Sequence, residues 1–198
     1  MGMNDIHELL SQPIDMDAVS AYLDGLTHLN RLGACREMTP KEQAALFDAA
    51  EGYQKITIDD FVSPDLDPLF PVIHWGKNSL PVFTTFQKRF TRPDDDAAKE
   101  RGELWGFNRQ RMEPFTGPGY FVAYGLDTGE VLVDYTKVPP RGAGGWPEVL
   151  PNTAKLSRFI YNGTQDTLRG VSNHVTIGRA ARDGEWMPNW FVLCRQDP

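Results

Sequence analysis

Two cysteines, Cys35 and Cys194, are too few for a disulfide framework in a chain of 198 residues. The four histidines form no HExxH motif and no pair at ligand spacing, and no CxxC occurs, so no metal and no cofactor is expected. A run of about 18 apolar residues is also missing, which excludes a transmembrane helix and leaves membrane insertion unexpected. The first residues lack a basic start followed by a long apolar stretch. No secretory signal is therefore read, and a cytoplasmic location is expected. Clustered cations are scarce as well. The densest basic stretch, residues 101–111, holds three arginines and is interrupted by Glu103. Lys+Arg 20 against Asp+Glu 27 leaves a net charge of −7, and phosphate backbones are bound by clustered Lys and Arg. A nucleic-acid partner is not expected.

What is present suits an ordinary folded domain. Hydrophobic residues make up 40% and charged residues 24%, and at this length the chain can bury a core without a staple. One domain over 1–198 is expected, with a helical segment at 1–52 and an antiparallel β region at 53–198.

The helical segment carries its own punctuation. Residues 4–12 form a short helix stopped by Pro13. Asp15 is an N-cap, and Ile14 with Val19 makes a hydrophobic staple. Val19, Tyr22, Leu23, Leu26 and Leu29 then recur at helical spacing, which predicts one stripe ending at Gly33. Thr39-Pro40-Lys41-Glu42 is a capping box with proline at the first helical position, where no N–H is needed. That helix should end near Gly52.

Beyond residue 55 the pattern turns to strands. Residues 56–62 suit a strand, 63–71 an irregular proline-rich stretch, 80–91 a second strand and 103–111 a third. Residues 94–100 read as a charged loop or a single helical turn, and His74 falls in a loop with aromatic neighbours. Residues 120–126 and 130–138 form a hairpin around Asp127-Thr128-Gly129. Residues 171–182 and 185–195 form another around Asp183-Gly184, and Asn162-Gly163 signals a third after 155–161. No helix alternates with these strands, so the expected fold is α+β, with N-terminal helices packed on a curled antiparallel sheet or β-barrel of seven to eight strands.

Hairpin pairing assigns the faces, because opposed residues point the same way. One face of the first hairpin is apolar, with Phe121, Ala123, Val131, Val133 and Tyr135. The other carries Tyr120, Tyr124, Asp134 and Thr136. In the second hairpin Ile177 opposes Trp190 and Val175 opposes Val192 on an apolar face. The reverse carries Ser172, His174, Thr176 and Arg195. Mixed polar and aromatic faces on a concave sheet are what a small-molecule cavity needs. The alternative is an outer face wetted by solvent.

The leading expectation is a binding protein for a small apolar or amphipathic molecule. Its ligand-binding residues would be Tyr120, Tyr124, Thr136, Trp146, Ser172, Thr176 and Arg195. Trp146 enters through the segment 139–147, rich in Gly and Pro, which reads either as a lid over a barrel mouth or as a crossover between hairpins. The second reading is a cofactor-free enzyme of proton-transfer, isomerase or hydrolase type, with His174 and Asp134 as acid–base groups. The third is an interaction module that docks a protein, or a second copy as a homodimer, through its helices. Lipocalins and other ligand barrels offer an architectural analogy only, since no characteristic motif of theirs is present.

Overall fold

In a computed structural model, residues 5–81, 84–110, 118–152 and 162–197 are described. Four helices come first: α1 (Ile6–Leu9), α2 (Met16–Asp24), α3 (His28–Glu37) and α4 (Pro40–Ala49). Their starts follow the caps. The Asp15 carboxylate accepts from the backbone N–H of Asp17 and Ala18, each at 3.1 Å. Thr39 and Glu42 close a reciprocal capping box at the head of α4.

One expectation fails here. The stripe from Val19 to Leu29 is broken, because α2 ends at Asp24 and a separate helix, α3, starts at His28 after Thr27 in extended conformation. Leu29 is left 78% exposed, and Gly33, expected as a stop, lies inside α3.

The strands are β1 (Val72–Asn78), β2 (Thr85–Thr91), β3 (Glu103–Arg109), β4 (Tyr120–Gly125), β5 (Val131–Asp134), β6 (Thr164–Gly170), β7 (Val175–Arg182) and β8 (Glu185–Arg195). A short helix, α5 (Asp96–Glu100), links β2 to β3. Every strand pairs antiparallel with its neighbour in sequence, and β8 pairs back to β1, so the barrel closes and no edge remains.

Three glycines let the barrel fill its interior. A Cβ on Gly76, Gly106 or Gly178 would stand 2.4 Å from the ring of Phe86, Phe121 or Phe191 respectively. Each phenylalanine lies over a glycine of an adjacent strand, a small-against-large arrangement that packs a narrow barrel.

Two stretches differ from expectation. Residues 56–62 form no strand. Thr57 and Asp60 cap a single 3₁₀ turn (Ile58–Asp60), and such side-chain-to-backbone bonds compete with a ladder. Ile56, Phe61 and Val62 then plug one end of the barrel. The loop expected around His74 is strand β1, disguised by the glycine that Phe86 requires. The run 155–161 lies outside the described residues, and β6 follows the Asn162-Gly163 turn.

The hairpin registers explain how the faces are used. Across residues 127–129, Ala123 pairs with Val133 and Gly125 with Val131, as the turn predicts. Across Asp183-Gly184 the pairing starts as expected, then slips. Met187, Pro188 and Asn189 stand opposite Ala180 alone, so beyond them Ile177 meets Val192 and Val175 meets Cys194. Pro188 has no N–H to offer the ladder, which suits it to a bulge. Two extra residues restore parity, so the set on each face survives although the partners change.

The apolar faces of the two hairpins point opposite ways. Phe121, Ala123, Val131 and Val133 face the barrel interior. Val175, Ile177, Val192 and Cys194 face outward, beneath Val19, Leu23, Leu46 and Phe47 of the helices. At this interface Cys35 and Cys194 are both buried. The neighbouring Cys194 thiol, together with full burial, holds the Cys35 thiol well above its ordinary range.

Candidate functional site

Strand β2 reads Phe86-Gln87-Lys88-Arg89-Phe90, so the lysine is in phase with two inward phenylalanines. Lys88 is 1% exposed. Its ammonium donates to Asp166 Oδ2 at 2.8 Å, to Asn108 Oδ1 at 3.3 Å and to the Tyr135 hydroxyl. Asn108 Nδ2 donates to the same hydroxyl at 2.6 Å. Strands β2, β3 and β6, with the residue just after β5, thus deliver four polar side chains to one point.

The surroundings are aromatic. Ring centroids of Tyr135 and Phe191 lie 4.9 Å from Lys88 Nζ, and that of Phe121 lies 5.3 Å away. Burial pushes the Lys88 amine below the usual lysine range, against the opposing pull of Asp166.

Among the described residues, Lys88 is reached from the end of the barrel opposite the plug. A cavity of about 120 Å³ opens there, walled by Leu80, Phe86, Met187 and Phe191 and floored by Lys88, Asn108, Tyr135 and Asp166. A water site needs roughly 10–15 Å³ on this measure, so several waters or one small organic group fit. A broader open groove of about 450 Å³ runs outside the barrel past Arg36, Trp75 and Arg109. Lys88, Asp166, Asn108 and Tyr135 do not line it.

At the plugged end sits another inward titratable group. His74 is buried, its Nε2–H donates to the Phe61 carbonyl at 3.1 Å, and its ring stacks on Phe61. Burial lowers its pKa to about 3, so it is neutral at ordinary pH.

The residues expected from the sequence are dispersed. Tyr120, Tyr124, Asp134 and Thr136 lie on the outer wall. Asp134 accepts from the Thr136 hydroxyl at 2.6 Å and from Tyr124 at 3.3 Å. Trp146 packs on the outer wall too, with ring centroids 4.7 Å from Phe107 and 6.3 Å from Tyr120. The segment carrying it covers the outer face of β3 and β4.

Ser172, His174 and Arg195 sit at the plugged end, where Arg195 donates to the Asp60 and Asn173 carbonyls. Thr176 is buried there, opposite Leu193, with no partner for its hydroxyl among the described residues. The structure therefore does not bring His174 to Asp134. Asp134 pairs with Gln165 near the start of β6, and His174 follows the end of that strand. Five strand residues, about 16 Å, separate the two levels. The carboxylate beside His174 is Asp197, 3.2 Å from Nδ1, and burial lowers the His174 pKa, with Arg31 adding to the effect.

Among the described residues one group, Asp5, His7 and Glu37, stands at metal-ligand spacing; all three are exposed. No helix among the described residues is long and apolar enough to cross a membrane. No family model matches the chain, and comparison with curated proteins and with solved structures returns no match.

Proposed function

We propose that the protein binds a small amphipathic molecule end-on in the open mouth of the barrel. The polar group of the ligand meets Lys88, Asp166, Asn108 and Tyr135. Its apolar part lies against Leu80, Phe86, Met187 and Phe191. One observation carries the reading: a fully buried lysine–carboxylate pair forms the floor of a cavity instead of filling a packed core. Replacing a buried ion pair by well-packed apolar residues is commonly neutral or stabilising, so stability alone does not explain it. A few convergent polar groups inside apolar walls are the ordinary make-up of a small-molecule site.

Tyr120, Tyr124, Thr136, Trp146, Ser172 and Arg195 have no part in this reading. The Lys88 floor selects for a polar head group, which favours an amphipathic ligand over a purely apolar one.

The test is native mass spectrometry of the purified chain against four-carbon to six-carbon alcohols, carboxylates and aldehydes. Binding by at least one class is expected. It should be lost in Leu80→Trp, which fills the mouth from the loop after β1, away from the strand pair that carries Asp166. Failure of every class to bind, or equal binding by the blocked variant, overturns the proposal.

A further inference from the structure

We propose that Lys88 binds its ligand covalently, by condensing with an aldehyde or ketone carbonyl that enters the mouth. This rests on the end-on reading above and narrows its ligand to a carbonyl compound. Lys88 Nζ is a primary amine at the floor of an accessible cavity, and its position on a barrel strand fixes its approach. Four aromatic ring centroids lie within 5.8 Å of it and replace much of its solvent shell, which disfavours the ammonium and leaves a larger share of nucleophilic free base.

Its three partners are the groups the reaction needs. Asp166 Oδ2, 2.8 Å away, takes the proton that Lys88 must lose before attack. The amine lone pair then forms a C–N bond to the carbonyl carbon, and the C=O π pair moves to oxygen, which gains a proton. The carbinolamine loses that oxygen as water while the second nitrogen proton departs. One carbonyl and one amine give one imine and one water, with no change of oxidation level. Protonated on nitrogen, the imine keeps the positive charge opposite Asp166, so the ion pair survives the conversion. Tyr135 and Asn108, linked at 2.6 Å, sit where the carbonyl oxygen and the departing water need a hydrogen-bonding partner.

Both Arg and Lys can serve as a buried cation, but only Lys offers a nucleophilic amine. The remaining lysines, Lys41, Lys55, Lys77, Lys99, Lys137 and Lys155, serve as internal controls in the same molecule.

The test treats the full chain with butanal and sodium cyanoborohydride at neutral pH and reads butyl adducts by peptide mass mapping. A lowered amine pKa raises the free-base share at neutral pH, so Lys88 should label faster than every control lysine. Leu80→Trp should abolish the excess at Lys88 and leave the controls unchanged. Labelling of Lys88 no faster than the controls overturns the inference, as does an excess that persists in Leu80→Trp, since the amine is then not reached through the mouth. Non-covalent butanal or 1-butanol bound in native spectra without the adduct retires the imine and leaves the end-on site standing. No binding of any probe retires both.

Discussion

Lys88 Nζ and Asp166 Oδ2 meet at 2.8 Å inside a closed barrel, on strands that are not neighbours. The pair spans the interior, so each member holds the other's charge in place of solvent.

Removing one member should therefore cost more than removing both. Lys88→Met leaves a buried carboxylate alone, a change worth about 3–5 kcal/mol of destabilisation. The double variant Lys88→Met/Asp166→Leu should recover most of that loss. Urea unfolding of the three chains measures it. Equal stability of the single and double variants would show that the pair is not coupled.

The glycine–phenylalanine contacts predict opposite signs for two similar substitutions. Gly178→Ala places a methyl 2.4 Å from the Phe191 ring, and overpacking of this kind costs about 1–3 kcal/mol. Gly33→Ala, in α3 with nothing within 4 Å of its new Cβ, should stabilise by about 0.5–1 kcal/mol. Thermal melts of both variants decide the matter, and a shared sign would contradict the packing described.

Acid should act through His74. Its folded pKa of about 3 lies below the ordinary 6.5, so between those values the unfolded chain binds a proton that the folded chain refuses. Stability is unaffected by this group above pH 6.5 and falls as pH drops toward 3, by up to about 1.4 kcal/mol per pH unit. His74→Phe should flatten the curve of stability against pH across this window. An unchanged slope would mean that another group governs acid unfolding.

The cap of α4 gives a simpler prediction. Thr39→Ala removes one half of the reciprocal capping box, and the loss should be about 1 kcal/mol by chemical denaturation. Glu42→Gln, which keeps a hydrogen-bonding group at N3, should lose less. A larger loss for Glu42→Gln than for Thr39→Ala would point to the charge of Glu42, which also meets His7 at 2.8 Å, rather than to the cap.

Much of the architecture was legible because it is written in local chemistry. Asp15, Thr39 and Gly129 each meet a backbone requirement at their own position, and the elements around them follow. Where expectation failed, a distant group decided. Gly76 reads as a loop residue until Phe86 is placed across it, and residues 56–62 read as a strand until Phe61 is seen filling the barrel end.

The site was hidden for a related reason. Pairing arithmetic says which residues share a face, and it says nothing of which face becomes the inside once a sheet closes. The mixed faces of the two hairpins therefore looked alike, although one lies on the outer wall and the other faces inward. Lys88 had a signal, a cation in phase between Phe86 and Phe90, which reads as a surface position until the alternation is followed through both rings.

The plug of Ile56, Phe61 and Val62 gives the barrel a cul-de-sac. On the proposed reading, and among the described residues, a ligand that enters beside Leu80 and Met187 leaves by the same doorway, and no newcomer pushes it out from behind. Occupancy would then be exclusive and exchange sequential, with the residence time set by how readily the occupant lets go of the floor. Such a vessel would hold or present its contents and would not pass them through.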